Sequence, residues 1–109
     1  METEINLFDL VCNLQLKIYY PTSDFDMEEL MGKSGVYFLI YDNKIEYIGK
    51  SNNIGKRLKN HHIFDRLCNN AVLVYECSKK YSSYISQSEI NLIKLLNPTE
   101  NKAHKNKVL

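Results

Sequence analysis

The chain has no tryptophan, only two prolines and four glycines among 109 residues. So few breakers exclude a collagen-like or linker-like polymer and leave long stretches free to form regular elements. Its three cysteines, Cys12, Cys68 and Cys77, are odd in number and lack a C-x-x-C pair. That pattern offers neither a disulfide framework nor a zinc site, and free thiols fit a reducing compartment, so a cytoplasmic protein is expected. No apolar run approaches the roughly 18 residues of a membrane span, and no secretory signal pattern opens the chain. What is present is ordinary globular composition, 44% hydrophobic and 25% charged, which argues against disorder and for a single domain with a modest core.

Net charge is only +1, but it is unevenly spread. Residues 1–31 carry seven acids (Glu2, Glu4, Asp9, Asp24, Asp26, Glu28, Glu29) against one base, Lys17, whereas the remainder carries thirteen bases against six acids. Between Lys50 and His62 stand Lys50, Lys56, Arg57 and Lys59 with no acid at all. A basic stretch beside an acidic segment suits a polyanion held through one face; a solvated helix face is the plain alternative.

Hydrophobic spacing gives the elements. Leu7, Leu10, Val11 and Leu14 follow i, i+3, i+4, i+7 and predict an amphipathic helix over 4–15. Thr22-Ser23-Asp24 offers caps for a short helix ending at Gly32. Residues 35–41 read as a strand, Asp42-Asn43 as a turn and 45–49 as the returning strand. A helix is predicted over about 53–64, a strand over Ala71–Cys77, and a last helix over Ser83–Leu96 closed by Pro98.

Strand alternation puts Tyr37, Leu39 and Tyr41 on one face. Tyr47 joins them if Leu39 lies opposite Tyr47, which an odd-length loop provides. A two-residue turn at Asp42-Asn43 would instead pair Tyr47 with Phe38 and send it to the other face. On the following helix Arg57 and His61 stand one turn apart, beside the Ile54–Leu58 stripe. A guanidinium grips two phosphate oxygens at once, and an imidazole can orient water or move a proton near neutral pH. His62, nearer the Leu58 side, reads as packing. In the last helix Glu89 falls within the apolar arc of Ile85, Leu92, Ile93 and Leu96, where a carboxylate needs a cation or metal beside it. The run Ser86-Gln87-Ser88-Glu89, with Ile85 and Ile90 as a staple, also matches a capping box.

Gly35-Val36-Tyr37, Tyr47-Ile48-Gly49, Arg57, His61, Glu89 and Asn101, in this order, resemble the GIY-YIG nuclease family over roughly residues 33–102. Val36 replaces the usual isoleucine, the second motif is intact, and Glu100 departs from an often apolar position before Asn101. The resemblance implies an α+β, sandwich-like GIY-YIG fold, with a small mixed three-stranded sheet flanked by helices. It divides the chain into an acidic helical extension (1–32) packed on a nuclease core (33–109). It implies an endonuclease that hydrolyses DNA phosphodiesters with one Mg²⁺ or Mn²⁺ held by Glu89. Arg57 would grip a non-bridging oxygen, and Lys50, Lys56, Lys59 and Asn101 would contact phosphate or complete the site. Tyr37 would act as general base, its proton affinity lowered by Tyr47, His61 or Lys50, with His61 as the other candidate base.

Two other classes compete: a catalytically silent nucleic-acid-binding module, and a protein-interaction domain using the acidic N-terminal segment. An acid among bases, Glu89, favours the enzyme, because binding alone gains nothing from it. The Leu7–Leu14 stripe would pack on the chain's own core, or pair with a second copy or a protein partner.

Overall fold

The computed structural model describes residues 15–20, 24–61 and 71–101. Four strands, β1 (Lys17–Tyr19), β2 (Gly35–Tyr41), β3 (Lys44–Ser51) and β4 (Ala71–Glu76), form one sheet in the order β1-β4-β2-β3. Three helices accompany them: α1 (Asp24–Leu30), α2 (Ile54–Lys59) and α3 (Ser82–Leu96), the last preceded by a 3₁₀ turn at Lys79–Tyr81. The α+β class is as expected, while the sheet differs in two respects. It has a fourth strand, β1, whose three residues are too few to show alternation. It is also antiparallel throughout, not mixed. The chain crosses from β3 through α2 and returns in the same direction as β4, but β2 lies between those two strands, so every bonded pair is antiparallel.

The unbroken apolar run of β2 has a simple cause: both sheet faces are covered. Val36, Phe38 and Ile40, with Ile48 and Leu73, pack against Leu16 and against Ile85 and Ile93 of α3. Tyr37 and Leu39, with Tyr19, Val72 and Val74, pack against Leu30 of α1 and Ile54 and Leu58 of α2.

The β2–β3 hairpin brings Tyr47 to the face of Tyr37 by a different route from an odd-length loop. The turn is the two-residue kind: Tyr41 opposes Lys44, and Asp42 and Asn43 both take left-handed φ, 52° and 60°. That matches a type I′ turn, whose twist suits a hairpin. The pairing then slips by one: Ile40 opposes Ile45, yet Leu39 opposes Tyr47, leaving Glu46 as the extra residue of a β-bulge. The bulge returns Tyr47 to the face of Tyr37 that the short turn alone would have denied it.

Residues 1–14, with the expected helix and its Leu7–Leu14 stripe, lie outside the described residues, as do Cys12, Cys68 and His62. The segment just after them belongs to the core: Leu16, Tyr19 and Leu30 are buried in the two clusters. At the other end, Asn97 takes a left-handed conformation (φ 47°) that stops α3, and its amide bonds Ile93 O at 2.8 Å. The chain then runs beside β3, where Glu100 N donates to Glu46 O at 2.8 Å.

Candidate active site

Three rings meet on the α2 face of the sheet. Tyr37 and Tyr47 lie with centroids 6.2 Å apart, and the His61 imidazole stands edge-on to both, 4.7 Å from Tyr47 and 5.8 Å from Tyr37. Tyr37 and His61 are fully buried, and Tyr47 is half-buried. Gly49 opposes Tyr37 across the hairpin, and a Cβ there would overlap the Tyr37 Cζ and hydroxyl. The glycine of the second motif is therefore the space in which the tyrosine of the first one lies.

Arg57 and His61 arrive by different means than expected. Asn53 caps α2, its Oδ1 accepting from Lys56 N at 3.2 Å and also from Gly32 N at 2.8 Å, which ties the end of α1 to the start of α2. The helix ends at Lys59, because Asn60 leaves the helical region (φ −119°, ψ 20°). His61 thus lies beyond the helix, its amide on Leu58 O at 3.2 Å, and the ring turns inward. The two residues do not share a helical face. Arg57 is exposed at the surface, yet its charge acts on the Tyr37 phenol.

Burial pushes the Tyr37 phenol well above tyrosine's ordinary value; Tyr47 adds to the rise, the Arg57 charge opposes it, and Glu89 adds to it. This reverses the expectation that the surroundings lower its proton affinity. Tyr47 raises it, and Lys50 is not in the set. Lys50 opposes Val36, so it sits on the other sheet face, where its Nζ donates to Ser86 Oγ at 2.6 Å.

Glu89 belongs to the second turn of a helix that starts at Ser82 with Tyr81 as its cap residue, so the capping-box alternative is excluded. Its neighbours Ile85, Leu92, Ile93 and Leu96 do pack on the core, and Glu89 itself is half-buried. Although α3 covers the face opposite α2, Glu89 still acts on Tyr37 electrostatically. Asn101 is buried and turned onto the outer edge of β3: Oδ1 accepts from Ile48 N and Nδ2 donates to Ile48 O, each at 2.8 Å. That geometry makes Asn101 a clamp on the Tyr47-Ile48-Gly49 strand and does not support a phosphate contact. Lys56 and Lys59 are exposed on α2. Asn53 and the Lys50–Ser86 contact went unnoticed in the sequence; Asn53 had the signal of an Asn just before an apolar helix residue.

Among the described residues no group of three His, Cys, Asp or Glu side chains could hold a metal. The oxygen groups that act on one another there are one carboxylate, Glu89, and the Tyr37 phenol, whose proton affinity burial raises. A hard divalent ion that keeps most of its water and shares the rest of its shell with a phosphate fits such a sparse oxygen set, whereas a zinc-type N/S cage does not. Against family models, residues 33–103 match the GIY-YIG catalytic domain. No curated protein and no solved structure matches the chain.

Proposed function

The chain belongs to the GIY-YIG nuclease family, and on that premise we propose that it is a divalent-metal-dependent endonuclease hydrolysing DNA phosphodiesters at one site. Members of this family generally use divalent metal ions, and here Glu89 would hold one, of the Mg²⁺ or Mn²⁺ kind. A bound ion would supply electrostatic screening of the phosphate and of the leaving oxygen. The observation that carries the reading is the convergence on Tyr37: Tyr47 and His61 packed on its ring, with the charges of Arg57 and Glu89 acting on its phenol.

The chain's own groups divide the work. Arg57, exposed and with its charge felt at Tyr37, presents its fork to a non-bridging phosphate oxygen, where charge grows in the pentavalent transition state. Tyr37 holds its proton in the resting site, so as a base it must first meet added positive charge from substrate-bound cations. His61, enclosed between two tyrosines, is the competing base and orients Tyr47. Lys56 and Lys59 give the strand flanking the cleaved bond a cationic rail.

Labelled single-stranded, duplex and branched DNA, incubated with and without Mn²⁺, tests the proposal. Mn²⁺-dependent cleavage is expected. Glu89→Gln keeps the shape and should lose at least about 100-fold in rate with its melting temperature unchanged, the scale seen when one charge-stabilising group is removed. Equal cleavage by parent and variant would remove Glu89 from the site, and binding without cleavage would point to the silent module.

A further inference from the structure

The 3₁₀ turn and the first turn of α3 carry features that the catalytic reading leaves unused. Tyr81 and Tyr84 are 53% and 55% exposed, much for rings of this size. Each is held in place: Lys80 Nζ lies 5.2 Å from the Tyr81 centroid, and the Tyr84 hydroxyl meets that of Tyr75 at 3.1 Å. Lys79 and Lys80 supply charge, and no acid occurs between Cys77 and Ser88. Next to them a groove of about 280 Å³ is lined by Lys50, Ser51, Asn52, Ser82, Ile85 and Ser86. Ser82, Ser86 and Glu89 follow i, i+4, i+7 on α3, so groove and Glu89 share one helix face, with Tyr81 and Tyr84 at the end where that face begins. From Tyr81 to Glu89 the helix rises about 12 Å, which is three or four steps of a strand backbone at about 3.4 Å each.

Resting on the nuclease reading, we propose that this ledge binds an unpaired stretch of DNA leading to the cleaved phosphate, with Tyr81 and Tyr84 stacking on bases and Lys79, Lys80 and Lys50 on phosphates. The favoured substrate is then a duplex with a single-stranded flank, not a blunt one. The chemistry discriminates between the two. Duplex bases are already stacked on one another and offer no free face to a tyrosine, whereas unpaired bases do. Pre-fixed rings lose little freedom on binding, and the cationic surroundings disfavour a basic peptide as partner.

The test is binding in EDTA, so that no cleavage intervenes. Fluorescence anisotropy compares a labelled blunt duplex with the same duplex carrying a thymidine tail at either end. The full chain should bind one tailed form at least about tenfold more tightly, and Tyr81→Ala with Tyr84→Ala should abolish that preference while leaving blunt affinity within about twofold. Tyr81→Phe with Tyr84→Phe should retain it. Lys79→Gln with Lys80→Gln should lower the slope of log K against log salt by roughly 0.7 per lysine. Because the chain lacks tryptophan, quenching of tyrosine emission by the tail gives an independent reading that the alanine variant should lose. No tail preference in the parent, an alanine variant that keeps it, or a phenylalanine variant that loses it would each overturn the ledge. Manganese-dependent nicking without tail preference would leave the nuclease reading standing and remove only this inference; tail-dependent binding without nicking would do the reverse.

Discussion

Tyr37 is the residue on which the site turns, and its setting is one of conflict. Its ring is buried against Leu39, Ile54 and Leu58, which favours the neutral phenol, while Arg57 favours the phenolate. Burial prevails, so the native state holds this proton more tightly than the unfolded chain, in which a tyrosine titrates near 10. The sign follows from linkage. The stabilising contribution is fully present below pH 10 and is lost as pH rises above it, because there the unfolded chain sheds a proton that the folded one keeps. The melting temperature should therefore fall above about pH 10, and less steeply in Tyr37→Phe than in the parent. Lys33 and Tyr75, also raised, contribute equally to both proteins. Identical alkaline slopes would show that Tyr37 is not the buried phenol described. Cleavage at neutral pH should be lost in the same variant, a separate measurement.

At the scale of elements, β3 is the strand that must be placed, since it carries Tyr47 and Gly49 and lies at the sheet edge. Three devices fix it: the left-handed turn at Asp42-Asn43, the bulge at Glu46, and the clamp of Asn101 on Ile48. The clamp replaces the missing outer neighbour, giving the strand one donor and one acceptor where an edge would otherwise be open. Asn101→Ala leaves a buried amide and carbonyl without partners and should cost about 1–3 kcal/mol. Amide exchange at Ile48 should accelerate markedly, and cleavage should fall because the strand frays, although Asn101 touches no substrate. Unchanged protection at Ile48 would contradict this. The bulge explains why the hairpin was only half legible: a turn type follows from Asp-Asn, but an inserted residue is a compromise among packing, twist and the pairing of Glu46 with Glu100.

For the whole molecule, the acidic N-terminal segment is more than an appendage. Leu16, Tyr19 and Leu30 fill both sides of the sheet, and β1 closes the edge of β4. Burial of each such side chain is worth about 1.5–3 kcal/mol, and a domain of this size has only about 5–15 kcal/mol in all. A protein starting at Lys33 should therefore be unfolded or nearly so by circular dichroism, although the family match begins there. If it folds and cleaves, the segment is dispensable to the core. The described helices include none long and apolar enough to cross a membrane.

The sequence by itself determined the family, the order of strands and helices from residue 35 onward, and Tyr37, Tyr47, Arg57, His61 and Glu89 as candidate site residues, because short motifs and strong periodicity are local properties. Only the tertiary structure decided how those residues meet. It took the bulge to bring Tyr47 beside Tyr37, the early end of α2 to turn His61 inward, and the packing of α3 to bring Glu89 within electrostatic reach of Tyr37. It moved Lys50 to the opposite face and Asn101 to the strand edge. It added β1, whose three residues form a strand only because β4 offers them partners. Register, strand order and burial are set by pairings far apart in the chain, and no window of sequence contains them.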